Sequence, residues 1–406
     1  MGTGKSSAAI TYINEHPDER FIYITPYLDE AERIKDSCPC AYFVEPSNKI
    51  PEYHFRKVEH TASLIKSKRN IATTHQAFSG YTREMLDDIV NAGYVLIIDE
   101  SVEFLESCPV HPTDLKMAVD LGYISEVNGT YALARDDYDG VMMRDLFSTI
   151  KTKNLMKTRA PGDSSDELFY WVLPQELICA FKDVFILTYL FEAQSIHHFL
   201  EMYRIPYSYI GVSQSADGVF RFDNNNTYKP ENTILLKDKI HILENYKLNA
   251  VGDDYYALSA SWFDREAEGI ERLRKNILNY FRNIHSDMPA DKRLWGSYKD
   301  AYYKLRGKGY ANSFLQFNAR ATNAYRDKVC LAYCVNVFMN VGEKIFCQKN
   351  GVEIDDDKYA LSVMVQWIWR SAIRDGGEIS IYLPSSRMRS LLIDWINSFA
   401  EGGIKT

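Results

Sequence analysis

The sequence predicts an α/β protein whose strands form parallel sheets in two domains, and three observations predict it. The first hundred residues alternate short helices with apolar strands. Within them, Tyr94-Val-Leu-Ile-Ile98 is apolar at every position, as in a parallel strand buried on both faces. The same order resumes at Asp183 and recurs at the end of a 406-residue chain, well beyond the ~250–300 residues at which a single core stops growing.

Taken in order, Ser6 to Asn14 reads as a helix, Arg20 to Thr25 as a strand, and Leu28 to Asp36, after Pro26, as a second helix. Asn70 to Thr74 reads as a strand, Arg83 to Asn91 as a helix, and Tyr94 to Ile98 as the buried strand. From about residue 107 to 182 the pattern loosens into Asp- and Gly-containing turns, which reads as an insertion. Regular order returns with a strand at Asp183 to Thr188, a helix at Ala193 to Tyr203 and a short strand at Tyr207 to Ile210. A helix carrying Tyr325 to Val337 and another at Tyr359 to Arg374 follow. A strand at Glu378 to Leu383 and a helix opened by Pro384-Ser385-Ser386 end the pattern.

Composition bounds the function. A hydrophobic fraction of 46% and a charged fraction of 25% place the chain among folded globular proteins, not disordered ones. The formal charge of −8 excludes a general basic coat for nucleic acid and leaves room for a local groove. No segment approaches the ~20 apolar residues of a membrane span, and no secretory leader is evident, so a cytoplasmic location and no membrane partner are expected. The seven cysteines are scattered without a Cys-x-x-Cys pair, which suggests neither a disulfide framework nor a zinc ribbon.

Three short patterns carry chemistry. Gly2-Thr3-Gly4-Lys5-Ser6-Ser7 matches the second half of a phosphate-binding loop, in which glycine lets backbone N–H groups approach phosphate and the following helix start favours negative charge. Lys5 would hold phosphate and Ser6 a Mg²⁺ ion. Asp99-Glu100 follows the buried strand at the sheet edge where ligands bind in open α/β folds. Asp99 could hold the ion and Glu100 could polarise a water. Such a pair alone more often offsets a helix dipole. Gln366, Arg370 and Arg374 lie four apart, so on one helix they share a face; they read either as a solvated basic face or as charge for a transition state.

The ordered set resembles the DEAD/DEAH-box-like helicases of superfamily 2, especially divergent phage-encoded ones. Gly4-Lys5-Ser6 resembles motif I, Thr25-Pro26 motif Ia, Thr73-Thr74-His75-Gln76 motif Ib, and Asp99-Glu100 motif II, with Ser101-Val102 departing from the named box. Leu187-Thr188-Tyr189-Leu190-Phe191 resembles motif III, Gln366 to Arg374 motif VI, and, more loosely, Asn318 to Asn323 motif V.

The resemblance implies two RecA-like P-loop NTPase domains, residues 1–192 and 193–406, the first lacking its P-loop strand, truncated at the start of the loop and carrying the insertion. ATP and Mg²⁺ would be cofactors, and a single strand of nucleic acid, DNA ahead of RNA, the partner, alongside replication or recombination proteins. If phage-encoded, the site of action would be the host cytoplasm. It assigns Glu100, Gln366, Arg370 and Arg374 to catalysis, Gly2 to Ser7 to ATP, and Ser6 with Asp99 to metal. Thr25, Thr73 and Thr74 would touch nucleic acid, and Thr188 would couple ATP state to closure. The expected function is a nucleic-acid-dependent ATPase or helicase. Alternatives are a phage terminase-like packaging ATPase, for which Asp355-Asp356-Asp357 is the acidic cluster to examine, and a non-catalytic remnant that keeps the scaffold.

Overall fold

The computed structural model describes residues 4–159, 167–224, 236–319 and 324–400. Its contacts divide the chain into two units. One comprises Thr3–Thr227 together with Asn340–Ile354, and the other chiefly Tyr228–Met339 and Asp355–Thr406. The division thus falls later than the expected 192/193 boundary. Ser195–Tyr203 stays with the first unit because Ile196, Phe199 and Leu200 belong to its core.

The first unit begins with α1 (Lys5–Glu15), β1 (Arg20–Thr25), α2 (Leu28–Ser37), α3 (Lys57–Lys66), β2 (Ile71–Thr74), α4 (His75–Phe78), α5 (Arg83–Ala92) and β3 (Tyr94–Asp99). After an intervening segment come β4 (Asp183–Leu187) and α6 (Ser195–Tyr203). The four strands form one parallel sheet in the order β2-β1-β3-β4. Strand alternation explains the doubly wound packing. Phe21, Tyr23, Val95 and Ile97 face α1 and α2, where Ala9, Ile13, Ala31 and Ile34 meet them. Ile22, Ile24, Leu96 and Ile98 face the opposite way, toward the layer holding Leu64, Ile65, Met85, Ile89 and Phe199. Every core position of β3 is fully enclosed, as its unbroken apolar run predicts.

The expected insertion folds as a five-stranded antiparallel sheet between β3 and β4, with strands Leu105–Cys108, Ile124–Val127, Thr130–Leu133, Asn154–Arg159 and Glu167–Val172. Its apolar side has its own core, around Leu115, Tyr131, Phe147 and Phe169. The returning segment supplies helix Val341–Lys349, whose Phe346 and Cys347 enter the first unit's main core. Phe346 lies 5.4 Å from Tyr170, and the Lys349 ammonium donates to the Thr158 hydroxyl at 3.1 Å.

Tyr207–Ile210 is not a strand. Tyr207 and Tyr209 instead pack edge-on to Phe191, and strand pairing starts at Gly211–Gln214, antiparallel to Phe220–Asp223.

The second unit has a four-stranded parallel sheet of Ile240–Ile242, Ile379–Tyr382, Cys330–Tyr333 and Arg293–Gly296, in that spatial order. The segment expected as a helix over Tyr325 to Val337 therefore contains a strand, Cys330–Tyr333, buried along its whole length. Gly296 admits no side chain, because a Cβ there would lie 2.8 Å from the fully enclosed Trp367 indole. The expected helix to Arg374 runs from Asp356 to Ile368 only. Beyond it the Ser371 hydroxyl donates to Ile368 O at 2.6 Å and Ala372 N to Lys328 O at 2.9 Å, drawing the chain into a short 3₁₀ turn at Ala372–Asp375.

Candidate functional site

At the start of α1, Gly4 has φ +76°, a left-handed value that favours glycine, and the Phe220 ring occupies the space a Cβ would take. The first turn, Lys5-Ser6-Ser7-Ala8, carries no acidic residue and no side-chain cap. A helix start of this kind, with the positive end of the dipole and no acidic side chain, suits an anion. Ser7 is exposed, while Lys5 and Ser6 are half-buried. Gly2 and Thr3 lie outside the described residues.

Strand β3 delivers Asp99 to the same place. The Ser6 hydroxyl donates to the Asp99 carboxylate, at 3.1 Å to Oδ2 and 3.3 Å to Oδ1, across 93 residues of sequence. Burial pushes the Asp99 carboxyl up to about 6, and neighbouring Glu100 adds to the rise, while hydrogen bonds from Tyr23 and Ser6 oppose it. Lys5 is pulled below its ordinary value by desolvation, and the charges of Asp99 and Glu100 work against that fall. Its ammonium also sits 5.9 Å from the centre of the Tyr189 ring.

Glu100 takes φ +63°, a strained conformation for a glutamate, with its N–H donating to Leu187 O at the end of β4 at 3.1 Å. Thr188, half-buried, follows that carbonyl directly. The sheet thus brings Lys5, Ser6, Asp99 and Glu100 together at its C-terminal edge, the arrangement the sequence pattern predicts.

Two further participants are Tyr23, which no motif includes, and His75, which lies in the motif Ib-like segment without an assigned role. The Tyr23 hydroxyl donates to Asp99 Oδ2 at 2.9 Å from the middle of β1, and His75 Nε2 lies 2.9 Å from the Asp99 carbonyl oxygen. The available signal was a tyrosine inside an otherwise apolar parallel strand, where a buried hydroxyl needs a partner.

Other expected site residues lie elsewhere or differ. Thr25 and Thr73 are wholly enclosed, so their hydroxyls cannot touch a strand of nucleic acid in this conformation; each points into the packed sheet layers. Thr74 is half-buried and caps α4, accepting from Ala77 N at 3.3 Å. Gln366, Arg370 and Arg374 belong to the second unit and do not share one helix face, since the helix ends at Ile368. Gln366 is half-buried, Arg370 is 4% exposed, and Arg374 is exposed. Within the motif V-like segment, Arg320 to Asn323 fall outside the described residues. Asp355 caps the helix it precedes, accepting from Asp357 N and Lys358 N at 3.0 Å each, and Asp357 pairs with Arg387 at 2.7 Å. Asp355 and Asp357 are therefore engaged in structure. His198 on α6 is buried at 3% exposure.

The donor set suits a hard divalent ion. Ser6 Oγ and the Asp99 carboxylate are oxygen ligands in contact beside a helix N-terminus, and Mg²⁺ takes few protein ligands beyond its waters and phosphate oxygens. Among the described residues, no group of three or more His, Cys, Asp or Glu side chains could hold a metal by itself. No helix among them is long and apolar enough to cross a membrane.

Comparison with known proteins gives the lineage. Residues 235–396 match the YonV C-terminal Rossmann-like domain, which agrees with the parallel sheet of the second unit. Two solved structures align over most of the chain. "Structure of S. tokodaii Xpd4" is 12% identical with a TM-score of 0.40, covering 97% of this chain and 92% of that one. An apo XPD structure is 11% identical with a TM-score of 0.42, covering 98% and 93%. The SPbeta prophage-derived uncharacterized protein YonV of Bacillus subtilis (strain 168) is 37% identical over 401 residues, covering 98% of this chain and 97% of that protein. With that identity along nearly its whole length, the chain belongs to the YonV family.

Proposed function

We propose that the protein is a nucleic-acid-dependent nucleoside-triphosphate hydrolase of helicase type. One observation carries the reading: a Gly-Lys-Ser helix start and an Asp-Glu strand end, 93 residues apart, meet with the Ser6 hydroxyl on the Asp99 carboxylate. Two such patterns found singly are common, but their convergence at the C-terminal edge of a parallel sheet is what phosphate chemistry needs.

In this reading the N-terminal end of α1 and the Lys5 ammonium bind the phosphates of ATP. Ser6 and Asp99 hold Mg²⁺, which when bound supplies charge to the phosphate oxygens. Glu100 orients a water and takes a proton on its carboxylate. Its constrained backbone and the bond from its N–H to Leu187 O tie that side chain to the β4 end, so Thr188 is the residue through which nucleotide state reaches the rest of the unit. Gln366, Arg370 and Arg374 remain candidate catalytic residues of the second unit, and Arg374 is the exposed one among them. Contact with a single strand of DNA passes to Thr74, since Thr25 and Thr73 are enclosed. The prophage origin of the Bacillus subtilis relative supports work on phage nucleic acid in a bacterial cytoplasm. The packaging-motor alternative loses its support with Asp355 and Asp357 in structural roles.

The test is phosphate release with and without single-stranded DNA. Lys5→Ala is expected to lower the stimulated rate by about 10²-fold or more, on the scale of removing a charge-stabilising donor from such a site. Equal release by the two proteins sinks the reading.

A further inference from the structure

We propose that Tyr23 is a positioning residue that makes the Asp99 carboxylate selective for Mg²⁺ over Ca²⁺. The inference rests on the phosphate-site reading and adds to it a determinant of cation choice that lies on a different strand from either motif.

The geometry starts with β1, an inner strand of the sheet, flanked by β2 and β3. Tyr23 is wholly enclosed there, packed among the side chains of α1, α2 and β3. A ring held on all sides has one rotamer, so its hydroxyl is a fixed donor and not a mobile one. It donates to Oδ2 of Asp99 at 2.9 Å, shorter than either Ser6 contact. One carboxylate oxygen is thereby engaged and the plane of the carboxylate is set.

Cation chemistry turns that restraint into a preference. Ca²⁺ takes six to eight oxygens in flexible geometry and often grips a carboxylate through both oxygens. Mg²⁺ demands a near-octahedral shell, keeps most of its waters and needs only one or two carboxylate contacts. A carboxylate whose second oxygen is committed to a phenol, and which cannot rotate away from it, serves the smaller ion and penalises the two-oxygen grip. Groups behind a ligand commonly tune metal affinity in this way. Arg33 contributes a positive field to both Tyr23 and Asp99, but its guanidinium is paired with Glu30 at 2.7 Å. Tyr23 is thus the direct donor that holds the carboxylate from behind.

The experiment titrates the full chain with a fluorescent ADP analogue, mant-ADP, in Mg²⁺, in Ca²⁺ and in chelator, reading binding and not turnover. The wild type is expected to bind more tightly in Mg²⁺ than in Ca²⁺. Tyr23→Phe is expected to shrink the ratio of the two dissociation constants by about 10-fold, with the chelator value unchanged. Tyr94→Phe is the structural control, because it removes another buried tyrosine hydroxyl bond, to Arg69 O at 2.7 Å, at the far end of β3 from Asp99. It should leave the ratio as in the wild type. Should Tyr23→Phe fail to fold, the wild type decides, since equal dissociation constants in Mg²⁺ and Ca²⁺ overturn the role of Tyr23. An unchanged ratio in folded Tyr23→Phe or an equal effect of Tyr94→Phe overturns it as well. A wild type whose nucleotide binding ignores both cations removes the phosphate-site reading itself, and this inference with it.

Discussion

Gly4 shows how much a single backbone position is asked to do. Its φ of +76° is costly for any residue with a Cβ, and the nearest atom of the Phe220 ring lies 2.2 Å from where that Cβ would stand. Both terms act on Gly4→Ala, so the substitution is expected to lower stability by about 1–3 kcal/mol, measured as a shift of the urea midpoint. The steric term belongs to the pair, so Phe220→Leu combined with Gly4→Ala should be non-additive, whereas strict additivity would show that the ring is not what fills the space. At this scale the sequence is legible where chemistry is written contiguously. Gly4-Lys5-Ser6 and Asp99-Glu100 each announce themselves in a few residues. Tyr23 does not, because its role comes from a register in which β1 lies beside β3, and nothing local to Phe21-Ile-Tyr-Ile24 states which strand will be its neighbour.

Helix α6 carries a titration that follows from its burial. His198 is pulled down to about 4 by desolvation, with the neighbouring His197 adding to the fall. In the unfolded chain the same imidazole titrates near ~6.5. Between those values the unfolded state binds a proton that the folded state refuses, so the stability present above pH 6.5 is lost progressively as pH falls toward 4. The ceiling on that loss is about 3 kcal/mol at pH 4. His198→Gln should therefore flatten the decline of urea stability between pH 6.5 and 4.5, and an unchanged slope would remove the imidazole from the account. Elements as a class divide into those settled by local pattern and those settled by neighbours. The strands of the first sheet and helices α1, α2, α5 and α6 follow apolar patterns that make them readable, whereas α3 and α4 lie outside that reading. Cys330-Leu-Ala-Tyr333 is a short apolar run that suits either a buried strand or a buried helix turn, and the sheet decides. The helix through Gln366 ends early for a reason no window of sequence contains: Ala372 N is claimed by Lys328 O on a segment more than forty residues away.

The molecule as a whole is two units whose sequence segments are not contiguous. The stretch Asn340–Ile354 leaves the second unit's strands, gives Phe346, Cys347 and Val352 to the first unit's core, and returns. Its docking is close: a Cβ on Gly342 would meet the Tyr170 hydroxyl at 2.3 Å. A protein cut after residue 227 is therefore expected to melt at a lower temperature than the same unit in the full chain and to bind a hydrophobic dye. A peptide covering 340–354 should raise that melting temperature when added back. A truncated protein with the full unit's melting temperature, indifferent to the peptide, would show that the segment is an ornament. The two-unit division was readable from length and from the return of α/β order, but this exchange was not, because nothing in Val341 to Lys349 distinguishes a helix that serves its own sheet from one lent to another.

That loan limits how the gene can be rearranged. Splicing two relatives at one point between codons 228 and 339 would seat the helix of one parent in the cavity of the other, so Phe346 and its Tyr170 neighbour would come from different lineages. Only hybrids that carry both junctions, restoring each helix to its own cavity, keep the pairing intact. Natural mosaics of this family should accordingly exchange the flanking pieces together or not at all.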